Sequence, residues 1–84
     1  MKKLTLMIDY NLKTAHIARY YNRNGYMQTQ LASMDYHTGK LSPFRWVSQD
    51  AYYTIFEEAS YISDFETIEE ALFRAGEIHG GIIV

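Results

Sequence analysis

The dipeptide Asn24-Gly25 constrains the fold of this chain more than any other local feature, because it predicts a tight β-hairpin. Both residues tolerate the positive φ angles that the two central positions of a type I′ turn require. A two-residue turn also fixes the strand register, so that Arg23 is predicted to lie opposite Tyr26. The same register predicts four further pairs, which are Tyr21 with Gln28, Arg19 with Gln30, Ile17 with Ala32, and Ala15 with Met34.

The rest of the first half continues as a predicted β-meander. Apolar and polar residues alternate over 4–10, which indicates a half-buried strand. If Tyr10 pairs with Ala15 across the next turn, this strand places Leu4, Leu6 and Ile8 on the same face as Ile17. A three-residue loop over 37–39 ends the third strand. The fourth strand, 41–47, contains Pro43 and is predicted to lie at an edge or to break there.

The second half is predicted to be more helical. Thr67 and Glu70 have the spacing of a capping box, and apolar residues then recur at helical intervals. Gly76 or Gly80 would end this helix, with Gly80 preferred, and residues 81–84 would form a short strand. The segment 48–62 is open to two interpretations: a helix capped by Ser48, which we favour, or a strand pair over 52–57 and 60–65.

These elements predict one α+β domain spanning residues 1–84, since a chain of 84 residues has room for a single core. We expect an antiparallel β-meander of about four strands, with one or two helices packed on one face and a short C-terminal strand. The helices would cover the apolar end of the face that carries Ile17. The opposite face, which includes Met7 and Leu31, would remain as a mixed surface and a second possible contact site.

The hairpin tip is predicted to extend beyond the helices and to bind a partner. Tyr and Arg are the residue types that dominate the binding energy of protein interfaces. The candidate partner-binding residues are Arg19, Tyr21, Arg23, Tyr26, Gln28 and Gln30.

Charge is divided between the two halves of the chain. Residues 1–47 contain seven Lys/Arg and two acids, a balance of +5, whereas residues 48–84 contain eight acids and one Arg, a balance of −7. Such a charge asymmetry influences which partners a protein attracts and how fast it associates with them, but it does not determine the fold. The acids are interpreted either as a solvated face with favourable helix N-terminal charges, or as a surface that mimics nucleic-acid phosphates. The candidate mimic residues are Glu57, Glu58, Asp64, Glu66, Glu69 and Glu70.

The sequence favours a protein without catalytic activity. It contains no cysteine, which excludes a thiol nucleophile and Cys-ligated metals, and its three histidines lack ligand spacing. Asp35 and His37 place an acid near a base, but no nucleophile accompanies them. We therefore expect no enzyme, no metal and no cofactor. The apolar run after Lys3 is too short for a signal peptide, and no stretch approaches the ~20 apolar residues of a membrane span. A cytoplasmic location is expected.

The short cysteine-free chain, the β-meander and the strand-to-helix junction over 62–71 resemble small α/β inhibitors encoded by bacteriophages and mobile elements, including anti-CRISPR proteins. This resemblance implies binding to a bacterial defence complex and a block of nucleic-acid loading or nuclease recruitment; it assigns no role to an individual residue. The leading hypothesis is a stoichiometric protein-binding inhibitor. The alternatives are a nucleic-acid-binding regulator that uses the basic sheet, and a structural subunit that oligomerises.

Overall fold

The computed structural model describes residues 4–78, apart from the side chain of Arg23. Within that range six strands and two helices confirm the α+β fold. The predicted strand over 81–84 and the helix end at Gly80 lie outside the described residues. In chain order the elements are β1 (Leu4–Asp9), β2 (Thr14–Arg23), β3 (Tyr26–Asp35), β4 (Lys40–Leu41), β5 (Arg45–Val47), α1 (Gln49–Glu58), β6 (Ser60–Phe65) and α2 (Ile68–Ile78).

All the described strands belong to one antiparallel sheet, in which β1 lies between β2 and β6. The order is β4-β3-β2-β1-β6, and β5 pairs with β3 on the same side as β4. The segment 48–62 thus combines the two interpretations. The favoured helix is present as α1, with the Ala51 amide donating to the Ser48 hydroxyl at 3.1 Å. The strand Ser60–Phe65 is present as well, and it pairs with β1 instead of a neighbouring strand of its own hairpin.

The predicted register of the central hairpin is confirmed for all five pairs from Arg23 opposite Tyr26 to Ala15 opposite Met34. Asn24 and Gly25 have φ angles of 52° and 80°, as a type I′ turn requires. Gly39 likewise occupies the left-handed region, at φ 70°.

The register of the first hairpin differs from the prediction, because Ile8 pairs with Ala15 where Tyr10 was expected. The Asp9 carboxylate accepts hydrogen bonds from the backbone amides of Asn11 and Leu12, both at 3.0 Å. This side chain starts the turn one residue before Tyr10 and removes Tyr10 from the strand. The shift is two residues, so it preserves the face on which each β1 side chain lies.

The fourth predicted strand breaks around Pro43 into β4 and β5. Ser42 spans the gap: its amide donates to the Ser33 carbonyl at 2.9 Å, and its hydroxyl accepts from the Ser33 amide at 3.0 Å. The break therefore leaves both backbone groups of Ser33 satisfied, although proline removes one donor from the ladder.

The sheet has a core on each face. On one face, Leu6, Ile8 and Ile17 pack with Ala71 and Ala75 of α2. This is the face on which helices were expected.

On the opposite face, Met7, Ala18 and Leu31 are fully buried, with Tyr52 and Ile55 of α1 packed against them. The expectation that both helices share one face is therefore wrong for α1. The physical reason is that Met7 and Leu31 alternate with the residues of the first core and need a cover of their own. The centre of the predicted second contact site lies beneath α1.

Two hydrogen bonds between Thr67 and Glu70 start α2, and a third, from Tyr36, attaches the helix to the sheet. The Glu70 amide donates to the Thr67 hydroxyl at 3.2 Å, and the same hydroxyl donates to the Glu70 carboxylate at 3.0 Å, so the predicted helix start is confirmed. Gly76 does not end the helix, which continues to Ile78. The buried Tyr36 hydroxyl donates to the Ala75 carbonyl at 3.0 Å and thereby ties α2 to the end of β3.

We expect Tyr36→Phe to lower the free energy of unfolding by about 1 kcal/mol, the usual net contribution of one hydrogen bond. The aromatic ring is retained, so the change removes only the hydroxyl that reaches α2. Urea unfolding followed by circular dichroism measures the effect. Tyr53→Phe, at a side chain that is 58% exposed, is the matched control and should leave the midpoint unchanged. Equal stability of both variants would contradict the proposed tie.

The same hydroxyl predicts a loss of stability at alkaline pH. Burial raises the pKa of Tyr36 to about 12, above the ordinary value of 10.0. Between these values the folded state retains a proton that the unfolded state releases, so stability falls as pH rises from 10 towards 12. Burial and the bond to Tyr20 also raise the pKa of Tyr52. We expect Tyr36→Phe to reduce this slope without abolishing it, as measured by urea midpoints across that pH range.

Candidate protein-binding surface on the hairpin

The hairpin of β2 and β3 extends beyond its cover within the described residues. Among the described residues, the pairing of β1 with β2 begins at Leu4 opposite Arg19, and α2 packs over the other end of this face. The side chains that follow Arg19 on the same face therefore meet no helix. On this face, the two described helices leave the hairpin tip uncovered.

Arg19 lies on this face of β2 where the described core ends, two residues before Tyr21. Its guanidinium group makes two contacts. Its central carbon lies 3.7 Å from the ring centroid of Phe44, which is the geometry of a cation–π contact. Its Nη2 atom donates to the Gln30 side-chain oxygen across the strands at 2.9 Å. The buried Nε atom makes no hydrogen bond within the part of the chain that the structure describes. Arg19 is therefore packed against its neighbours and supports the exposed side chains beside it.

Aromatic rings lie next to Arg19 and face outward. Tyr21 and Trp46 pack with ring centroids 5.5 Å apart, and the guanidinium of Arg19 lies 6.0 Å from the Tyr21 ring. Trp46 is 53% exposed and Tyr26, at the turn, is 74% exposed. We define the hairpin surface by the side chains of Arg19, Tyr21, Tyr26, Gln28, Gln30 and Trp46.

A cleft of about 430 Å³ borders this surface at the outer edge of β3, between Met27, Trp46 and the first turn of α1. Gln49 donates from its side-chain amide to the Met27 carbonyl at 3.1 Å. The bond satisfies a strand group just beyond the end of β5, whose last pair is Val47 with Thr29. At this position the edge of β3 therefore offers no free carbonyl for an added strand.

The structure therefore brings together most of the predicted partner-binding residues. The side chains of Arg19 and Gln30 are hydrogen-bonded to each other. Tyr21, Tyr26 and Gln28 are exposed beside them. The side chain of Arg23 lies outside the described residues.

Trp46 was not among the predicted partner-binding residues. It pairs with Gln30, on the row that leads to the tip. Directly paired residues lie on the same face of a sheet, so the pairing of Trp46 with Gln30 places Trp46 beside the tip. Predicting this pairing required the strand register after the break at Pro43.

The six acids of the predicted phosphate mimic do not form one surface. Glu57 and Glu58 lie at the end of α1, and Glu69 and Glu70 lie in the first turn of α2 on the other side of the sheet. Asp64 accepts a hydrogen bond from the Thr5 hydroxyl at 2.8 Å and is partly buried. Only the acids around the start of α2, with Glu66 preceding it, remain neighbours. Proximity along the chain was a poor guide because β6 separates the two helices.

The groups considered for acid–base chemistry have structural contacts. The Asp35 carboxylate accepts from the His37 amide at 2.7 Å and closes the turn. The Nδ1 atom of His16 lies 2.8 Å from the Ser33 hydroxyl, and burial lowers the pKa of this histidine. Among residues 4–78 no three His, Asp or Glu side chains are grouped as metal ligands. None of the described helices has the length and apolar character needed to cross a membrane.

We expect Tyr21→Ala to expose Trp46 and to increase the quenching of its fluorescence by acrylamide. Trp46 is the only tryptophan of the chain, so its emission reports the hairpin surface alone. The expected effect is about a twofold rise in the quenching constant, because the ring that packs at 5.5 Å is removed. Tyr53→Ala, on α1, is the control. Unchanged quenching in Tyr21→Ala would show that the two rings do not pack.

Comparison with protein families, with curated proteins and with solved structures found no match to this chain.

Proposed function

We propose that this protein is a non-enzymatic protein-binding module that acts as a stoichiometric inhibitor of a larger bacterial complex, such as a CRISPR-Cas or another defence nucleoprotein assembly. The hairpin surface is the proposed contact, and the cytoplasm is the proposed location. The observation that carries the proposal is the exposed Tyr21, Trp46 and Tyr26 group, supported from below by an immobilised Arg19.

The composition of the hairpin surface supports this proposal. Tyr, Trp and Arg are enriched among the few interface residues whose truncation costs more than about 2 kcal/mol. Tyr26 and Trp46 keep more than half of their surface in water, although burying apolar area contributes about 25 cal/mol per Å². A partner that covers them gains this contribution, whereas the isolated domain does not.

The rigidity of the surface supports it as well. Arg19 is fixed by the Phe44 ring and by Gln30, and Tyr21 packs against Trp46. Side chains that are ordered before binding lose less conformational entropy when the complex forms. The sheet behind them is anchored by ten consecutive cross-strand pairs.

The charge of the first half favours an acidic protein surface as the partner. Residues 1–47 have a balance of +5, and complementary fields increase association rates. The resemblance of the chain to small phage-encoded inhibitors supports a defence complex as the target, with nucleic-acid loading or nuclease recruitment as the blocked step.

A second candidate function is direct binding of single-stranded nucleic acid. The same exposed rings favour it, because bases stack on aromatic side chains of a sheet at about 1–3 kcal/mol per base. This function requires an affinity that falls steeply with salt, since cations of the protein replace counterions of the phosphates. It also requires binding to survive removal of all protein partners.

The test is an affinity pull-down of the tagged protein from bacterial lysate, with and without nuclease, followed by affinity measurement on the purified partner. We expect a near-stoichiometric protein partner that resists nuclease. Tyr26→Ala should weaken its binding about 30-fold, equivalent to about 2 kcal/mol. Tyr53→Ala is the control, because that tyrosine is similarly exposed but lies on α1.

Two results would contradict the proposal. Recovery that collapses after nuclease treatment would favour the nucleic-acid function. Equal affinity of Tyr26→Ala, of Trp46→Ala and of the control would remove the hairpin surface as the contact, because these two side chains form most of its exposed aromatic area.

A further inference from the structure

A second exposed apolar site lies away from the hairpin, between the end of β6 and the outer side of α2. It is a cleft of about 490 Å³, and the Phe73 ring in it is 72% exposed. Phe65 contributes the other ring and packs beneath against the first core. The other apolar residues of α2 face the core, but Phe73 does not. Folding therefore removes little of its apolar surface from water.

Carboxylates flank the ring at regular intervals. Glu69, Phe73 and Glu77 are four residues apart along α2, so they form one line on the helix surface. The helical rise of 1.5 Å per residue places the two carboxylates about one turn on either side of the ring.

Among the described residues, the negative charge at this cleft is only partly compensated. Arg74 lies 3.9 Å from Glu77, and both side chains are about half exposed. Exposed pairs at such a distance contribute little, so this contact leaves Glu77 accessible to a partner. Glu69 and Glu70 precede Arg74 in α2, which contains no other basic residue between Ile68 and Ile78.

We propose that this cleft, between Phe65 and Phe73, binds a basic amphipathic segment of a protein partner. An apolar side chain of the segment would pack on Phe73, and Lys or Arg side chains on either side of it would contact Glu69 and Glu77. Charge complementarity selects the occupant: an apolar centre flanked by two acids fits an apolar centre flanked by two cations. The inference goes beyond the proposed function, since it concerns a second surface of opposite charge and does not depend on the hairpin surface.

A second copy of this chain does not meet that description within residues 4–78. Its cations at Lys13, Lys40 and Arg45 lie in turns and short strands, and Arg19 is occupied by Phe44 and Gln30. Arg74 lies on α2 beside Phe73, but it is the one cation of that helix and is already 3.9 Å from Glu77. Among the described side chains, therefore, no exposed apolar residue has cations on both sides of it at helical spacing. A separate partner therefore fits the cleft better than self-association does.

The test uses fluorescence anisotropy with a labelled synthetic helix of about 18 residues, five turns, in which Lys alternates with Leu at helical spacing. A second peptide carries Glu in place of Lys. We expect the basic peptide to bind and the acidic peptide not to bind. Phe73→Ser should weaken binding at least tenfold, and the double change Glu69→Gln with Glu77→Gln should do the same.

The matched controls replace an aromatic ring and two acids on α1. Phe56→Ser and the double change Glu57→Gln with Glu58→Gln remove the same chemistry from a different helix. We expect these controls to bind like the unaltered protein. Circular dichroism confirms that each variant is folded, which the exposure of Phe73 and Phe56 favours.

Three outcomes would overturn the proposal. The controls could weaken binding as much as the α2 variants, which would mean unspecific attraction to an acidic protein. The basic peptide could fail to bind at all. Sedimentation could show self-association that Phe73→Ser abolishes, which would assign the cleft to a second copy.

Discussion

Strand β1 is buried on both faces, and the remaining architecture depends on this constraint. None of its six side chains is more than 7% exposed. Successive side chains of a strand point to opposite faces, so Leu6 and Ile8 require one cover and Met7 requires another. A sheet with an apolar centre on both faces needs a helix on each, and α1 and α2 provide them. Strand β6 then covers the edge of β1 that β2 leaves open.

The two helices are short, with 10 and 11 residues. Because they cover the two faces of β1, the part of the sheet that lies far from β1 is less covered. Helix α2 packs on β1, β2 and β6, so on its face the end of the hairpin beyond Arg19 meets no described helix. On the opposite face, α1 reaches the tip through the hydrogen bond from Gln49 to Met27. Arg19 lies at that boundary, opposite the first described residue of β1. Its contacts with Phe44 and Gln30 close the core, and the aromatic residues beyond it remain in water. On this face, the hairpin surface therefore results from a difference in length between the central hairpin and the cover that residues 4–78 provide.

The two proposed contact surfaces differ in character. The proposed hairpin contact is aromatic and lies in the basic half, with Tyr21 and Trp46 at its centre. The cleft at Phe73 is acidic and lies on the outer side of α2. A small domain with two such surfaces can bind one partner at two places or two partners at once, and the two sets of variants separate these cases.

Local chemistry alone determined the central hairpin, its register and the starts of both helices. Asn24-Gly25 fixes cross-strand pairs through backbone geometry, and Ser48 and Thr67 cap helices through neighbouring amides, so these features need no distant contact. The same register predicted the neighbours Arg19, Tyr21 and Gln30. Only the tertiary structure placed α1 on the second face, added β6 beside β1 and separated Glu57 from Glu69. Those features depend on which apolar surfaces meet after the chain has reversed direction several times, and periodicity along one segment carries no information about that choice.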